Sequence, residues 1–264
     1  MNPSDPRPLA IVTGASSGIG FELARCCAQH GYDLILAADR PLENAAAACR
    51  SLGADVEMVQ ADLSTTEGVD TVVNAVNGRP VAALLANAGQ TLGHGFLDQD
   101  FADARQVLDT NITGTLYLLH RIVGGMRDEC SGKVLITGSI AGFTPGPFQA
   151  VYNSTKAFLN SFAAALRTEL NDSGVTVTCL MPGLTDTDVF ARGNMLDTKV
   201  GASSLKADPA DVAKTGFDAM QAGEADVVAG VMNKLVVAGA KIMPTQLLAE
   251  VHRKMAEPGS ASSK

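Results

Sequence analysis

The sequence predicts an α/β fold, a doubly wound parallel sheet in a single domain. Three observations predict it: six strand–helix alternations follow one another, the strand segments are almost continuously apolar, and a glycine-rich turn joins the first strand to the first helix. Strands that are apolar along their whole length are covered on both faces, as in a parallel sheet with helices on either side. Right-handed crossovers then place a ligand beyond the carboxyl ends of the strands.

The elements follow in order. A β-branched run at Leu9–Thr13 stops at a glycine and reads as the first strand, with a helix over Ile19–His30 behind it. Strand Asp33–Ala38 leads to helix Leu42–Leu52, strand Val56–Gln60 to helix Thr66–Asn77, and strand Ala82–Ala86 to one long helix over Ala102–Arg127. Strand Lys133–Thr137 precedes helix Tyr152–Asp172, strand Val175–Leu180 precedes helix Pro209–Ala222, and Asp226–Ala229 is the last strand. Gly31, Gly53, Gly78 and Gly174 stand where helices need a left-handed closing residue. No linker, composition break or internal repeat divides the 264 residues, so residues 1–256 are expected to form one domain and 257–264 a disordered tail.

Composition excludes several function classes. With 46% apolar and 18% charged residues the chain is too apolar for disorder. Its 20 Lys+Arg against 28 Asp+Glu leave −8, which gives no electrostatic help toward nucleic acid or an anionic membrane. An anionic ligand must be caught by backbone dipoles or one well-placed cation. No basic and apolar leader is visible at the start, and the apolar stretch Val227–Met243 is broken by Asn233, Lys234 and Lys241. The five cysteines are scattered without a C-x-x-C pair and read as small buried hydrophobes in a reducing compartment. The four histidines are not spaced as metal ligands, so no protein-bound metal is expected, and the expected location is the cytoplasm.

Two constellations carry chemistry. The turn Thr13-Gly14-Ala15-Ser16-Ser17-Gly18-Ile19-Gly20 lets the backbone approach a pyrophosphate seated on a helix N-terminus, although a tight βα turn needs no ligand. Asp39 at the end of the second strand can accept from a ribose hydroxyl, and Asp62 and Asn87-Ala88-Gly89 end neighbouring strands at the same sheet edge. Together they favour a dinucleotide. The second constellation is Ser139 with Tyr152-x-x-x-Lys156, in which i and i+4 share a helix face. A phenol is a poor base at neutral pH, and a nearby cation stabilises the phenolate while Ser139 holds a substrate oxygen. Such a Tyr/Lys pair also occurs on ordinary surface helices.

With TGASSGIG at Thr13–Gly20, NAG at Asn87–Gly89, Asn111, Ser139, YNSTK at Tyr152–Lys156 and PG at Pro182-Gly183, the chain resembles the short-chain dehydrogenases/reductases over about residues 8–230. The resemblance implies a Rossmann-type fold, a nicotinamide cofactor and reversible hydride transfer between a secondary alcohol and a ketone. It makes Tyr152 the acid/base and gives Lys156 two tasks, lowering the Tyr152 pKa and holding the nicotinamide ribose. It gives Ser139 the substrate oxygen and Asn111 a water in a proton relay. It puts Gly14, Ser16, Ser17, Gly18, Ile19 and Gly20 at the pyrophosphate, Asp62 and Leu63 at the adenine, and Asn87, Ala88 and Gly89 at the adjoining ribose. Pro182, Gly183, Thr185 and Thr187 fall near the nicotinamide, Thr187 at the carboxamide.

The cofactor signal is mixed. Members that resemble NAD enzymes carry an acid at the position of Ala38; here Asp39 comes next and Arg40 after it. Asp39 favours NAD, while Arg40 can either pair with the extra phosphate of NADP or serve as a loop cation. The substrate pocket is expected from Thr91, His94, Ile140, Phe143, Phe148, Gln149, Leu184, Phe190 and Met195, with 184–205 as a lid. It suits a secondary alcohol or ketone of moderate size. His94 either binds a polar group or is a surface residue, and Phe190 and Met195 either line the pocket or pack the lid. The resemblance also implies a homodimer or homotetramer through helices 102–127 and 152–172, where Leu159, Phe162, Ala163 and Leu166 form an apolar face or simply cover the sheet. Two rival functions remain: a non-catalytic dinucleotide-binding sensor, and an epimerase or dehydratase of the same family type.

Overall fold

The computed structural model describes residues 7–262. The first six residues of the expected domain, and Ser263 and Lys264 of the expected tail, lie outside the described residues. The core is one parallel sheet of seven strands: β1 (Leu9–Thr13), β2 (Asp33–Ala38), β3 (Val56–Gln60), β4 (Val81–Ala86), β5 (Gly132–Thr137), β6 (Val175–Met181) and β7 (Asp226–Val228). Their spatial order is β3-β2-β1-β4-β5-β6-β7. The order reverses between β1 and β4, and ligands of open α/β sheets bind at such a switch point. The first three strands have the expected bounds and the other four differ by one residue at one end. Continuous apolar runs are that legible.

Side chains alternate across the sheet, as the two-residue repeat of a strand requires. Ala10 and Val12 of β1 face one layer, built by α1 (Gly18–Gln29) and α2 (Glu43–Ser51), together with the later helix 209–222. Leu9 and Ile11 face the other, built by α3 (Thr66–Ala75) and the helices after β4 and β5. Each fully buried leucine or isoleucine of these layers contributes roughly 1.5–3 kcal/mol.

The long helix expected over 102–127 is corrected by the structure. It is divided into α4 (Phe101–Leu108), a π-helical turn (Asp109–Gly114) and α5 (Thr115–Asp128). The turn packs against the end of β3: a Cβ on Gly114 would lie 1.8 Å from the Leu63 carbonyl oxygen. It also buries Asn111 completely and turns it toward the carboxyl end of β4. A single π turn shifts a helix face without changing its apolar spacing, so periodicity does not reveal it.

The second half of the chain continues with α6 (Ala150–Glu169), short α7 (Val189–Arg192), α8 (Pro209–Ala222), α9 (Val231–Ala240) and α10 (Thr245–Ala256). Neither α7, α9 nor α10 is among the expected elements. Several apolar residues of α9 are exposed, among them Val231 at 78% and Met232 at 71%, so no one-sided apolar stripe marks it. Leu159 and Ala163 of α6 cover the sheet, while Phe158 is partly exposed and stacks with Phe162.

Of the tail expected to be disordered, residues 257–262 pack against the lid. The Gly259 amide donates to Asp197 Oδ2 at 2.8 Å, and the Lys199 amide to Ser260 Oγ at 3.0 Å. Phe190, Met195, Val200 and Ala256 form a small core of their own under this segment. All five cysteines are free; Cys27, Cys49 and Cys179 are buried as expected, and Cys130 departs from that expectation by being exposed. No helix among the described residues is long and apolar enough to cross a membrane.

Candidate active site

The carboxyl ends of β1, β4 and β5 are laced together by side chains. Thr13 Oγ1 accepts from the Asn87 and Ala88 amides, each at 3.0 Å. Asn87 Nδ2 donates to the Thr13 carbonyl at 3.1 Å, and Asn87 Oδ1 accepts from Thr137 Oγ1 at 3.1 Å. Asn87, itself at the end of β4, thus spends its side-chain amide on two neighbouring strand ends. The glycine turn is fitted against it: a Cβ on Gly14 would lie 3.0 Å from Asn87 Nδ2, and one on Gly20 would lie 2.2 Å from the Gly14 carbonyl oxygen. Gly14 and Gly18 also take φ of +66° and +56°, which side chains disfavour.

Ser17 caps α1 without a side-chain hydrogen bond, and no acidic residue occupies the first turn. The free amides at this positive helix end therefore lack an anionic partner from α1 itself. From α7, the Arg192 guanidinium donates to Ser17 Oγ at 3.1 Å and pairs with Asp188 at 3.4 Å. Thr187 reaches the same place, since a Cβ on Gly18 would lie 2.7 Å from its methyl group. Ser16 and Ile19 are half-buried beside them.

Asp39 and Arg40 are both exposed after β2, and neither side chain pairs with another among the described residues. Asp62 is exposed and turns its carboxylate to the Ser64 amide at 2.9 Å; Leu63 is buried. These residues lie at one edge of the sheet with the glycine turn.

Ser139, Tyr152 and Lys156 are brought together by β5 and α6. Ser139 is nearly buried and its Oγ accepts from the Ala141 amide at 3.0 Å. Asn160, one turn beyond Lys156, holds it from both sides. The Ser139 amide donates to Asn160 Oδ1 at 3.3 Å, and Asn160 Nδ2 donates to the Ser139 carbonyl at 3.0 Å. No motif marks Asn160. Lys156 is 4% exposed, donates to the Thr137 carbonyl at 2.8 Å and lies 5.8 Å from the centre of the Tyr152 ring. Gly89 lies beside both side chains, where a Cβ would be 3.3 Å from Asn111 Oδ1 and 3.5 Å from Lys156 Nζ.

The charges of the pair respond to burial. Burial pushes the Tyr152 phenol above its ordinary value, opposed by a hydrogen bond to Ser139. Burial pulls the Lys156 ammonium down to about 8. Burial thus works against the lowering of the Tyr152 pKa expected from Lys156, and the Ser139 hydrogen bond works with it. Asn111 Oδ1 accepts from the Gln90 amide at 2.7 Å, and its Nδ2 donates to the Gln90 carbonyl and Thr155 Oγ1, both at 2.9 Å.

The other candidates divide into two groups. Thr91 and Gln149 are buried and joined, Gln149 Nε2 to Thr91 Oγ1 at 3.1 Å. Ile140 and Phe143 form a short 3-10 turn after Ser139, and Phe148 takes a left-handed φ of +65°. Pro182 accepts from the Ile140 amide at 3.0 Å, Gly183 lies against Asn233, and Thr185 is buried with its hydroxyl on the Gly183 carbonyl at 3.1 Å. Phe190 and Met195 are 7% and 0% exposed within the lid core, where Phe148 and Leu184 pack against them, as the lid-packing alternative has it. His94 is half-buried with φ of +73°, and its carbonyl accepts from Gln99 at 3.1 Å. A groove of about 470 Å³ between α3 and the π turn is lined by none of these candidates. Among the described residues no group of three or more His, Cys, Asp or Glu could hold a metal ion.

The family model for short chain dehydrogenases matches residues 8–195. An uncharacterized oxidoreductase of Staphylococcus epidermidis is 32% identical over 181 residues, covering 68% of this chain and 78% of its own. Among solved structures, a short-chain dehydrogenase from Sphingobium yanoikuyae in complex with NADPH is similar at 26% identity with a TM-score of 0.80, covering 89% of this chain and 93% of that one. A short-chain dehydrogenase/reductase from Burkholderia phymatum in complex with NAD shares the fold at 22% identity and a TM-score of 0.79, covering 88% and 92%.

Proposed function

Because the chain belongs to the short-chain dehydrogenase family, we propose that it is an NAD(P)-dependent alcohol dehydrogenase or carbonyl reductase acting on a secondary alcohol or ketone. The observation that carries this is the convergence of Ser139, Tyr152 and a buried Lys156 at the carboxyl end of β5. A dinucleotide-binding sensor needs the glycine turn but has no use for a buried lysine beside a tyrosine, whose desolvation is costly.

The residues present fit a dinucleotide. Gly14, Gly18 and Gly20 leave backbone where a Cβ would collide, and α1 presents uncapped amides there. Gly14–Gly20, with Ser16, Ser17 and Ile19, would hold the pyrophosphate, Asp62 and Leu63 the adenine, and Asn87–Gly89 the ribose beside it. Thr185, Thr187, Pro182 and Gly183 would adjoin the nicotinamide. When bound, the nicotinamide supplies the acceptor or donor of the hydride. We favour NAD, because the Asp39 carboxylate repels a ribose phosphate, and NADP competes through Arg40.

Tyr152 moves the proton to or from the substrate oxygen, and Ser139 holds that oxygen by its hydroxyl. Lys156, still largely protonated at neutral pH, keeps a cation beside the phenol and would hold the ribose of the cofactor. Asn111 acts on this site by fixing Gln90 and Thr155, and the proton relay would pass beside it. Thr91, Ile140, Phe143, Phe148, Gln149 and Leu184 would form the substrate wall. The free cysteines support a reducing, cytoplasmic setting. The partly exposed Phe101, Leu108 and Phe158 support a homo-oligomer through α4, α5 and α6. A screen of alcohols and ketones against both cofactors, read by nicotinamide absorbance, tests the proposal. Turnover of at least one secondary alcohol or ketone is expected; binding of cofactor without turnover of any would favour the sensor.

A further inference from the structure

A polar arrangement outside the catalytic cluster lies where α10 meets the segment before α6. His252 of α10 is mostly buried, with Nδ1 3.2 Å from the Pro147 carbonyl oxygen and Nε2 3.3 Å from Asn153 Nδ2. Asn153 follows the proposed acid/base Tyr152 in the chain and is 3% exposed. Its Nδ2 also donates to the Thr144 carbonyl at 3.1 Å. A carbonyl only accepts, so the amide nitrogen of Asn153 faces Thr144 and presents a donor to His252. His252 Nε2 therefore accepts, and Nδ1 carries the hydrogen and donates to Pro147. One neutral tautomer satisfies both bonds, whereas an imidazolium would set a donor against a donor.

Burial acts in the same direction by pulling the His252 pKa below its ordinary value, against the bond to Pro147. The charged groups around it are committed elsewhere or point to other partners. On α10, Arg253 pairs with Glu250 and Glu257, and Lys254 is exposed. From α6 the nearest titratable group in the chain is Tyr152, and residues 144–149 bring none. Lys241, after α9, lies 5.7 Å from the centre of the Phe143 ring.

Segment 144–149 depends on these contacts. A Cβ on Gly146 would lie 2.3 Å from Asn153 Cγ, so the segment is pressed onto Asn153. Phe148 keeps its left-handed backbone, which persists only where surroundings hold it. Thr144 and Pro147 are tied to Asn153 and His252, and Gln149 to Thr91. The same end of α10 holds the lid, since the Val200 amide donates to the Met255 carbonyl at 3.0 Å.

We infer that His252 is a positioning residue for substrate binding, fixing segment 144–149 and Asn153 beside Tyr152, so that α10 shapes the substrate wall. The inference rests on the dehydrogenase function proposed above. Its test compares the wild type with His252→Leu and His252→Gln in the full chain. Three readouts are used: hydrogen exchange of backbone amides 144–153, NADH affinity by fluorescence, and KM and kcat for cyclohexanone or acetophenone with NADH.

His252→Leu is expected to speed exchange in 144–153 and raise KM about tenfold, with kcat within about a factor of two and NADH affinity unchanged. His252→Gln offers a donor and an acceptor on one side chain and should restore exchange and KM. Protonation of His252 is expected to raise the wild-type KM on acidification, and His252→Gln should abolish that rise. Unchanged exchange and KM in His252→Leu would overturn the inference. So would a joint fall of kcat and NADH affinity, or a His252→Gln variant as impaired as the leucine one. If the wild type reduces neither ketone and binds no dinucleotide, the proposed function fails instead, and the exchange measurement still decides whether His252 holds the segment.

Discussion

Lys156 donates a hydrogen bond to the Thr137 carbonyl oxygen across 2.8 Å, from a side chain almost wholly withdrawn from water. Its pKa falls from an ordinary 10.5 to about 8 because burial penalises the ammonium. Between those values the unfolded chain binds more protons than the folded one, so folding gains stability as pH rises. The stability of the wild type relative to Lys156→Met should therefore rise by roughly 1–3 kcal/mol between pH about 8 and 10.5, measured by urea unfolding. A difference that stays flat would show that Lys156 is not buried as a cation.

Asn111 ties the π turn to the end of β4 through both polar groups of Gln90, and to α6 through Thr155. In Asn111→Ala the Gln90 amide and carbonyl lose this partner, while Thr155 Oγ1 keeps its bond to the Tyr152 carbonyl. A loss of about 2–5 kcal/mol in denaturant stability is expected. A loss below about 0.5 kcal/mol would mean that water replaces the amide freely.

Two glycines separate packing from propensity. In Gly20→Ala the new methyl meets the Gly14 carbonyl and Asn87, so the turn must shift and dinucleotide affinity should fall at least about a hundredfold. Gly125 lies exposed in α5 with nothing within 4 Å of a Cβ. Gly125→Ala should stabilise by about 0.5–1 kcal/mol and leave affinity unchanged. Cofactor titration and thermal unfolding of the two variants check this contrast.

Asp39 and Arg40 stand side by side after β2, and neither side chain pairs with another among the described residues. Asp39→Ser should raise kcat/KM with NADP about tenfold, since one repelled charge is removed. Arg40→Ala should lower kcat/KM with NADP and spare NAD. Equal effects of either variant on both cofactors would place these residues away from the ribose.

The inner strands are legible because burial on both faces leaves an apolar run that needs no partner to be recognised, whereas β3 and β7 at the sheet edges are partly exposed. The glycine turn, Asn87, Ser139, Tyr152 and Lys156 were legible as residue types at fixed spacing along strand ends and one helix face. Other features depend on contacts distant in sequence. Asn160 grips Ser139 across 21 positions, Arg192 reaches Ser17 across 175, and His252 reaches Asn153 across 99. The π turn is hidden because its cause is the close approach of Gly114 to Leu63, and α9 because most of its large apolar residues face outward, Val237 apart. Phe190 and Met195 had the composition of a pocket wall and the burial of a small core.

The central claim is that Tyr152 moves the proton. It is tested most directly by comparing Tyr152→Phe with the wild type on the same ketone, with NADH binding followed in parallel. Deletion of one hydroxyl should lower kcat by at least about a hundredfold while cofactor affinity stays within about a factor of two. Turnover at the wild-type rate in Tyr152→Phe would contradict the account.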